Sequence, residues 1–287
     1  MATLTNLGAF SVQRYIGIHN QLLTRALERL ASGYRINRAS DDPSGLALAD
    51  KFRTQVRALQ QASQNITLAT NFIQTAFDGM TESVGILQDI RDLAIESTNG
   101  ALSTSDRQKN QTEINTLITE IDRLATAVRF NGIKLLNGAF SSIGPTGALI
   151  GGGSFVGSLV FHVGAYSGAK LSTFLSTTSA KSLGVNGLDI TSQLKASNAV
   201  LLLNSSISRL LSRRARVGGV ERRLETAKNM VDIEANAHLA TESSIRDADV
   251  AAEIVNFTRE QILLQASTAM LAQANLVSQN VLQLFRF

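Results

Sequence analysis

Apolar residues recur at every seventh position from Phe52 through Leu59, Ile66, Ile73 and Met80 to Leu87, and Val56, Ala62, Ala69, Ala76 and Phe77 widen the same stripe. The spacing predicts one helix of about 45 residues. Leu203, Leu210, Val217, Leu224 and Val231 repeat the pattern, Leu263, Met270, Val277 and Leu284 carry it to the end of the chain, and Ile114, Ile121 and Val128 give a shorter version. Helices of this length cannot hide inside an ordinary globule, so they must lie against each other or against neighbours. Six large apolar side chains, at about 1.5 to 3 kcal/mol each on burial, offset roughly 10 kcal/mol of ordering cost. A helix standing alone does not collect that.

Glycine marks where the pattern stops. Eleven of the 21 glycines fall between Gly138 and Gly187, with Pro145 among them, so the helical regime ends near Asn131-Gly132 and resumes near Ser192. Within that middle, residues 159–163 and 171–175 read as short strands bounded by turn residues. Ser103 followed by Asp106 is a capping box after the Asn99-Gly100 break, which predicts a helix running to Phe130. Asp41, Asp42, Pro43, Ser44 and Gly45 predict a turn between Leu30 and Phe52. The expected fold class is mainly α: a long antiparallel helical rod with a small β-containing insert.

Composition narrows the class. The 287 residues are 44% hydrophobic but only 5% aromatic, so Ala and Leu carry the burial. The absence of cysteine excludes a disulfide framework and thiolate chemistry. Residues 1–60 hold eight Lys/Arg against four Asp/Glu, and residues 224–260 hold three against eight, so the two ends are opposite in sign. That asymmetry favours pairing of the ends, although each exposed ion pair contributes only about 0 to 1 kcal/mol. Residues 261–285 carry no charge, yet ten of the 25 are Gln, Asn, Ser or Thr. A membrane span needs about 20 predominantly apolar residues, so this tail reads as a helix seeking a protein partner rather than a bilayer. Residues 1–18 lack the basic start and unbroken apolar run of a cleaved signal peptide.

No chemistry-bearing constellation emerges. His19, His162 and His238 are scattered without metal-ligand spacing, and the glycine run at 151–153 has no following Lys-Ser/Thr to cradle a phosphate. The expectation is a non-enzyme with no cofactor and no metal. Arginines at 209, 213, 214, 216, 222 and 223, with a pI of about 9.6, are the best case for a nucleic-acid binder. Without interleaved aromatics, and with Glu221 and Glu225 interrupting the field, a solvated or subunit-pairing face is preferred.

Several motifs carry a family resemblance. RLASGYRINRASDDPSG at residues 29–45 resembles the N-terminal signature of bacterial flagellins, and IRDADVAAEI, QILLQAS and LAQANLVSQNVL from Ile245 onward resemble their C-terminal signature. IRDLAIEST from Ile90, EINTLITEIDRLA from Glu113 and RFNGIKLLNG from Arg129 keep the family order between them. The resemblance implies a structural subunit that self-assembles into the flagellar filament, its terminal helices forming an inner coiled coil and its middle projecting outward. The implied division is an inner-tube helix and turn at 1–43, rod segments at 44–137 and 192–250, an outer insert at 138–191 and a second inner-tube helix at 251–287. Leu23, Leu27, Leu30, Leu263, Met270, Val277 and Leu284 are the expected self-assembly residues. A hook-filament junction protein shares the terminal pattern, and a coiled-coil adaptor or nucleic-acid binder is the alternative from a different class.

Further partners follow from the same resemblance. It implies export in unfolded form to the cell exterior by the flagellar type III apparatus, a cytoplasmic export chaperone on Leu263, Leu264, Met270 and Leu271, and hook-associated and cap proteins at the ends of the filament. Flagellins that activate a Toll-like receptor carry an Arg, a Leu and a Glu at positions matched here by Asp89, Leu93 and Glu113. With Asp in place of Arg, an attraction becomes a repulsion, and weak activation is expected. Ser172, Thr173, Ser176, Thr177 and Thr178 are the expected acceptors for O-linked sugars. Ser278 departs from the Pro common in relatives, and Phe287 ends the chain where a short Leu/Arg ending is usual.

Overall fold

A computed structural model describes residues 6–140 and 158–284. The glycine run at 151–153 and Phe287 lie outside the described residues, as do the side chains of Ser278 and Leu284. The elements follow in the order α1 (Leu7–Ser32), α2 (Pro43–Thr98), α3 (Thr104–Ala127), β1 (Arg129–Phe130), β2 (Ile133–Lys134), β3 (Leu159–His162), β4 (Lys170–Thr173), α4 (Ala180–Leu183), α5 (Gln193–Arg246) and α6 (Val250–Leu284). They divide into two compact units, one of residues 1–56 with 236–287, the other of residues 57–235.

The first long helix is longer than the heptad count suggests. Pro43 occupies its first position, where a missing N–H costs nothing, and Asp42 caps it: Oδ1 accepts from the backbone amides of Ser44 at 3.1 Å and Gly45 at 2.9 Å. Three of the five residues expected to form a turn are therefore the first turn of α2, which runs for 56 residues. A Cβ at Gly45 would lie 2.4 Å from Asp42 Oδ2 and 2.9 Å from Ile36 Cδ1, so a larger residue there must displace the capping carboxylate. The Gly45 amide, then the Ser44 hydroxyl, hold the Asp42 carboxyl below its ordinary pKa.

In the unit of residues 57–235, the heptad positions Leu59, Ile66, Ile73, Met80 and Leu87 are fully buried, as are Ile114 and Ile121 of α3 and Leu203, Leu210 and Leu224 of α5. The capping box holds, with Ser103 Oγ accepting from the Asp106 amide at 3.2 Å. At the other end the expected boundary is wrong. Helix α3 stops at Ala127, and Asn131 and Gly132, both at positive φ, turn a two-residue hairpin pairing Phe130 with Ile133. Asn-Gly is the strongest short hairpin signal because both central residues of that turn need φ > 0, and here that signal outweighs its use as a helix stop.

The described part of the middle has β3 paired antiparallel to β4 in the register Leu159 to Thr173 and His162 to Lys170. Its buried residues, Leu171, Leu175, Leu183 and Val185, join the helical core rather than a core of their own. A segment this short and glycine-rich has too little apolar surface to fold alone. Phe72 of α2 receives it, its ring meeting Phe130, Phe140 and Phe161 edge-on at 5.5, 6.2 and 5.9 Å. Arg213 adds a polar tie, donating to the Thr177 carbonyl at 2.5 Å and to Ser182 Oγ at 3.2 Å. Burial, then the charges of Arg216 and Arg209, lower its pKa. Strand alternation turns Thr173 inward, and Thr178 is also buried, so neither is accessible for glycosylation; Ser172 faces out.

Candidate functional site

Helices α1 and α6 pair antiparallel within the unit of residues 1–56 and 236–287. On α1 the covered positions are Ala9, Val12, Ile16, His19, Leu23, Ala26 and Leu30; on α6 they are Glu253, Phe257, Glu260, Leu264, Ser267, Leu271 and Ala274. Both sets alternate by three and four, the spacing of a coiled-coil seam. The seam is tied at both ends. Asn6 caps α1 through the Ala9 amide and donates its Nδ2 to the Ala274 carbonyl at 2.9 Å. At the other end, Gly33 closes α1 in the left-handed conformation, and its carbonyl accepts from the Ala248 amide at 2.9 Å.

Two polar layers interrupt the seam. His19 Nδ1 and Glu260 Oε2 are 2.7 Å apart with side chains 17% and 16% exposed, and Arg29 lies 3.6 Å from Glu253. The Arg29–Glu253 pair is of the kind that the opposite charges of the two ends anticipate, and the His19–Glu260 hydrogen bond lies outside that count. The loop after α1 is held from the chain's other end: the Arg35 amide donates to the Arg246 carbonyl, Arg35 Nη2 to the Ile245 carbonyl, and the Arg246 guanidinium lies over the Tyr34 ring at 4.4 Å. Within the loop, the Arg38 amide bonds Asp41 Oδ2 at 3.1 Å, which with the Asn37 amide keeps the Asp41 carboxyl below its ordinary pKa.

The expected assembly residues divide between two faces. Leu23 and Leu30 are half-buried in the seam, whereas Leu27, Leu263, Met270 and Val277 are 49%, 38%, 60% and 55% exposed. The heptad counted through Leu263, Met270 and Val277 is thus not the one that meets α1; the seam runs one residue later, through Leu264 and Leu271. Helix α6 is apolar on more than one side, so a repeat of seven identifies a stripe without saying which neighbour it faces. The four expected chaperone contacts split likewise, Leu263 and Met270 outward, Leu264 and Leu271 inward. Ile254, Val255, Ile262 and Leu263 continue the outer face as a shallow apolar groove, and on α1 Phe10, Ile18 and Leu22 are exposed.

Of the receptor-like patch, Asp89 on α2 and Glu113 on α3 are exposed, and Leu93 is half-buried against the core. Among the described residues no cluster of three or more His, Cys, Asp or Glu is placed to hold a metal ion, and no helix is long and apolar enough to cross a membrane.

The described residues thus comprise two paired terminal helices with apolar outer faces, a capped turn and a longer helical body with a small hairpin insert. The sequence models of the bacterial flagellin N-terminal and C-terminal helical regions match residues 4–141 and 200–285. The chain is 40% identical over 287 residues to Flagellin FlaB1 of Treponema pallidum (strain Nichols), covering 98% of both, and 36% identical over 307 residues to the flagellin of Bacillus subtilis (strain 168), again covering 98% of both. It shares its fold with a putative flagellar hook-associated protein from Vibrio parahaemolyticus, with a TM-score of 0.57 over 72% of this chain and 100% of that one at 15% identity. The chain belongs to the bacterial flagellins.

Proposed function

We infer that this flagellin is a structural subunit of the flagellar filament and that it joins further copies of itself through the outer faces of α1 and α6. The observation that carries this is a seam that satisfies one stripe of each helix and leaves a second apolar stripe on each, with Phe10, Leu27, Ile262, Met270 and Val277 exposed. An exposed apolar surface of that extent marks an interaction site. A hook-filament junction role, or that of an adaptor or nucleic-acid binder, is not favoured, because full-length relatives are named as flagellins and filament core proteins. Leu23 and Leu30 hold the two ends of one chain together, and Leu27, Leu263, Met270 and Val277 meet the neighbours. The terminal helices order when the subunit joins the filament, since neither helix alone buries both of its stripes.

In this reading the chain leaves the cell unfolded by the flagellar export apparatus. An export chaperone covers Leu263, Leu264, Met270 and Leu271 beforehand, and hook-associated and cap proteins bound the filament outside. One pair of substitutions tests assembly and chaperoning together. Met270→Asp with Leu271→Asp is expected to abolish seeded polymerisation of purified monomer, seen as tubes by electron microscopy, and to weaken chaperone binding at least about tenfold, as a charge placed in a desolvated contact should. Polymerisation equal to that of the wild type would sink the assembly reading, and unchanged chaperone affinity the chaperone reading.

Receptor activation is weak because Asp89 stands exposed beside Leu93. Asp89→Arg is expected to raise the signal of a Toll-like receptor reporter by at least about tenfold, the usual scale for turning a repulsive contact into an ion pair. Full potency from the unaltered protein would overturn this.

A further inference from the structure

Two charged ridges on the unit of residues 57–235 carry no ion pair among the described residues. On α5, Arg209, Arg216 and Arg223 recur every seventh residue, and all three are exposed. On α2, Glu82, Asp89 and Glu96 do the same. Both ridges flank the buried heptad stripes of their helices, Leu203, Leu210, Val217 and Leu224 on α5 and Met80, Leu87 and Ala94 on α2. Glu221 and Glu225, two positions either side of Arg223, point to the opposite flank of α5 and do not neutralise it.

Within one chain the ridges do not meet. The Arg214 guanidinium lies over the Phe77 ring at 5.6 Å, and Ser63 bonds Asp232 at 3.1 Å, so α5 packs on the Phe77 flank of α2, away from the acidic ridge. Among the described residues no ion pair joins the two ridges, and the recorded ties are slight: Arg209 to Ser205 Oγ at 3.5 Å and Asn110 to Glu96 at 3.3 Å. Burial, then the charges of Arg216 and Arg209, lower the pKa of Arg213, which places these arginines close together on α5.

We propose that the Arg209–Arg216–Arg223 ridge of one copy docks on the Glu82–Asp89–Glu96 ridge of a second copy of this chain, and that this contact sets the register between neighbouring subunits. Three charges at a shared repeat of about 10.5 Å, seven residues at 1.5 Å each, meet three of opposite sign in step. A shift by one residue breaks all three pairs together. The two ridges are different surfaces on the same chain, so their contact is head-to-tail, and head-to-tail contacts that do not close into rings build open filaments. The ridge pairing rests on the filament reading above and adds the surface that selects the register.

Charge reversal tests it in the full-length protein. Arg209→Glu with Arg216→Glu and Arg223→Glu, and separately Glu82→Lys with Asp89→Lys and Glu96→Lys, are each expected to raise the critical concentration for seeded polymerisation at least about tenfold. Helicity by circular dichroism should be unchanged, since all six positions are exposed. The chain carrying all six reversals should polymerise within about twofold of the wild type, and the two triple variants mixed in equal amounts should copolymerise where neither does alone. Wild-type filaments with unmoved triple variants overturn the ridge pairing alone, even if the wild type is retained on heparin. Failure of the six-reversal chain to recover overturns it too, by showing that the loss is not one of complementarity. A wild type that stays monomeric under every seed sinks the filament reading and the pairing with it.

Discussion

Phe72→Ala is expected to lower the unfolding free energy of the chain by about 3 to 5 kcal/mol, the range for removing a buried aromatic from a close-packed core. Phe72 is 6% exposed and is the shared neighbour of three rings, Phe130, Phe140 and Phe161. Each edge-on pair adds about 0.5 to 1.5 kcal/mol beyond area burial. Phe130 sits on β1 and Phe161 on β3, so the loss falls on the junction between the helices and the inserted hairpin. Urea unfolding of the monomer is the measurement. Phe72→Leu, which keeps most of the volume but not the ring edge, should cost less than half as much; an alanine variant within about 1 kcal/mol of wild type would mean the cluster holds nothing together.

The second large effect concerns the seam. His19→Leu or Glu260→Leu alone is expected to destabilise the α1–α6 pairing by about 1.5 to 3 kcal/mol, because each leaves a mostly buried polar partner without its bond. The double replacement should be close to neutral, since an apolar pair of similar volume removes the desolvation cost along with the attraction. What the double variant is expected to lose is specificity: without a polar layer, the helices can slide by a heptad at little cost. The stability term is read from the critical concentration for polymerisation of the four chains, and the register from a disulfide trap between cysteines placed at Asn6 and Ala274, which bond at 2.9 Å. Additive single effects would show that the 2.7 Å contact carries no coupling.

Long helices were legible because their signal is summed over many turns. Leu59, Ile66, Ile73, Met80 and Leu87 were read from spacing alone and are all buried to within 1%. Short-range signals were ambiguous where one dipeptide serves two structures. Asn131-Gly132 can follow a helix end or turn a hairpin, and the pairing of Phe130 with Ile133 decides for the hairpin. Asp42-Pro43 marked a boundary correctly, yet whether Pro43 closes a turn or opens a helix depends on Asp42 reaching the Ser44 and Gly45 amides. The seam was the hardest to place. Leu263 and Leu264 are equally apolar in sequence, and only the position of α1 separates an inner from an outer residue.

What the sequence determined by itself is the helical body, its breaks, the absence of cysteine chemistry and the opposite charge of the two ends, all properties of pattern and composition that act locally or by summation. Tertiary structure decided the rest: that the heptad facing α1 runs through Leu264 and Leu271, that His19 and Glu260 meet, that Thr173 and Thr178 are out of reach, and that three arginines and three carboxylates are left facing outward. Each of these depends on which of several similar faces a helix turns toward its neighbour. A helix has no preference among its faces until another surface covers one of them.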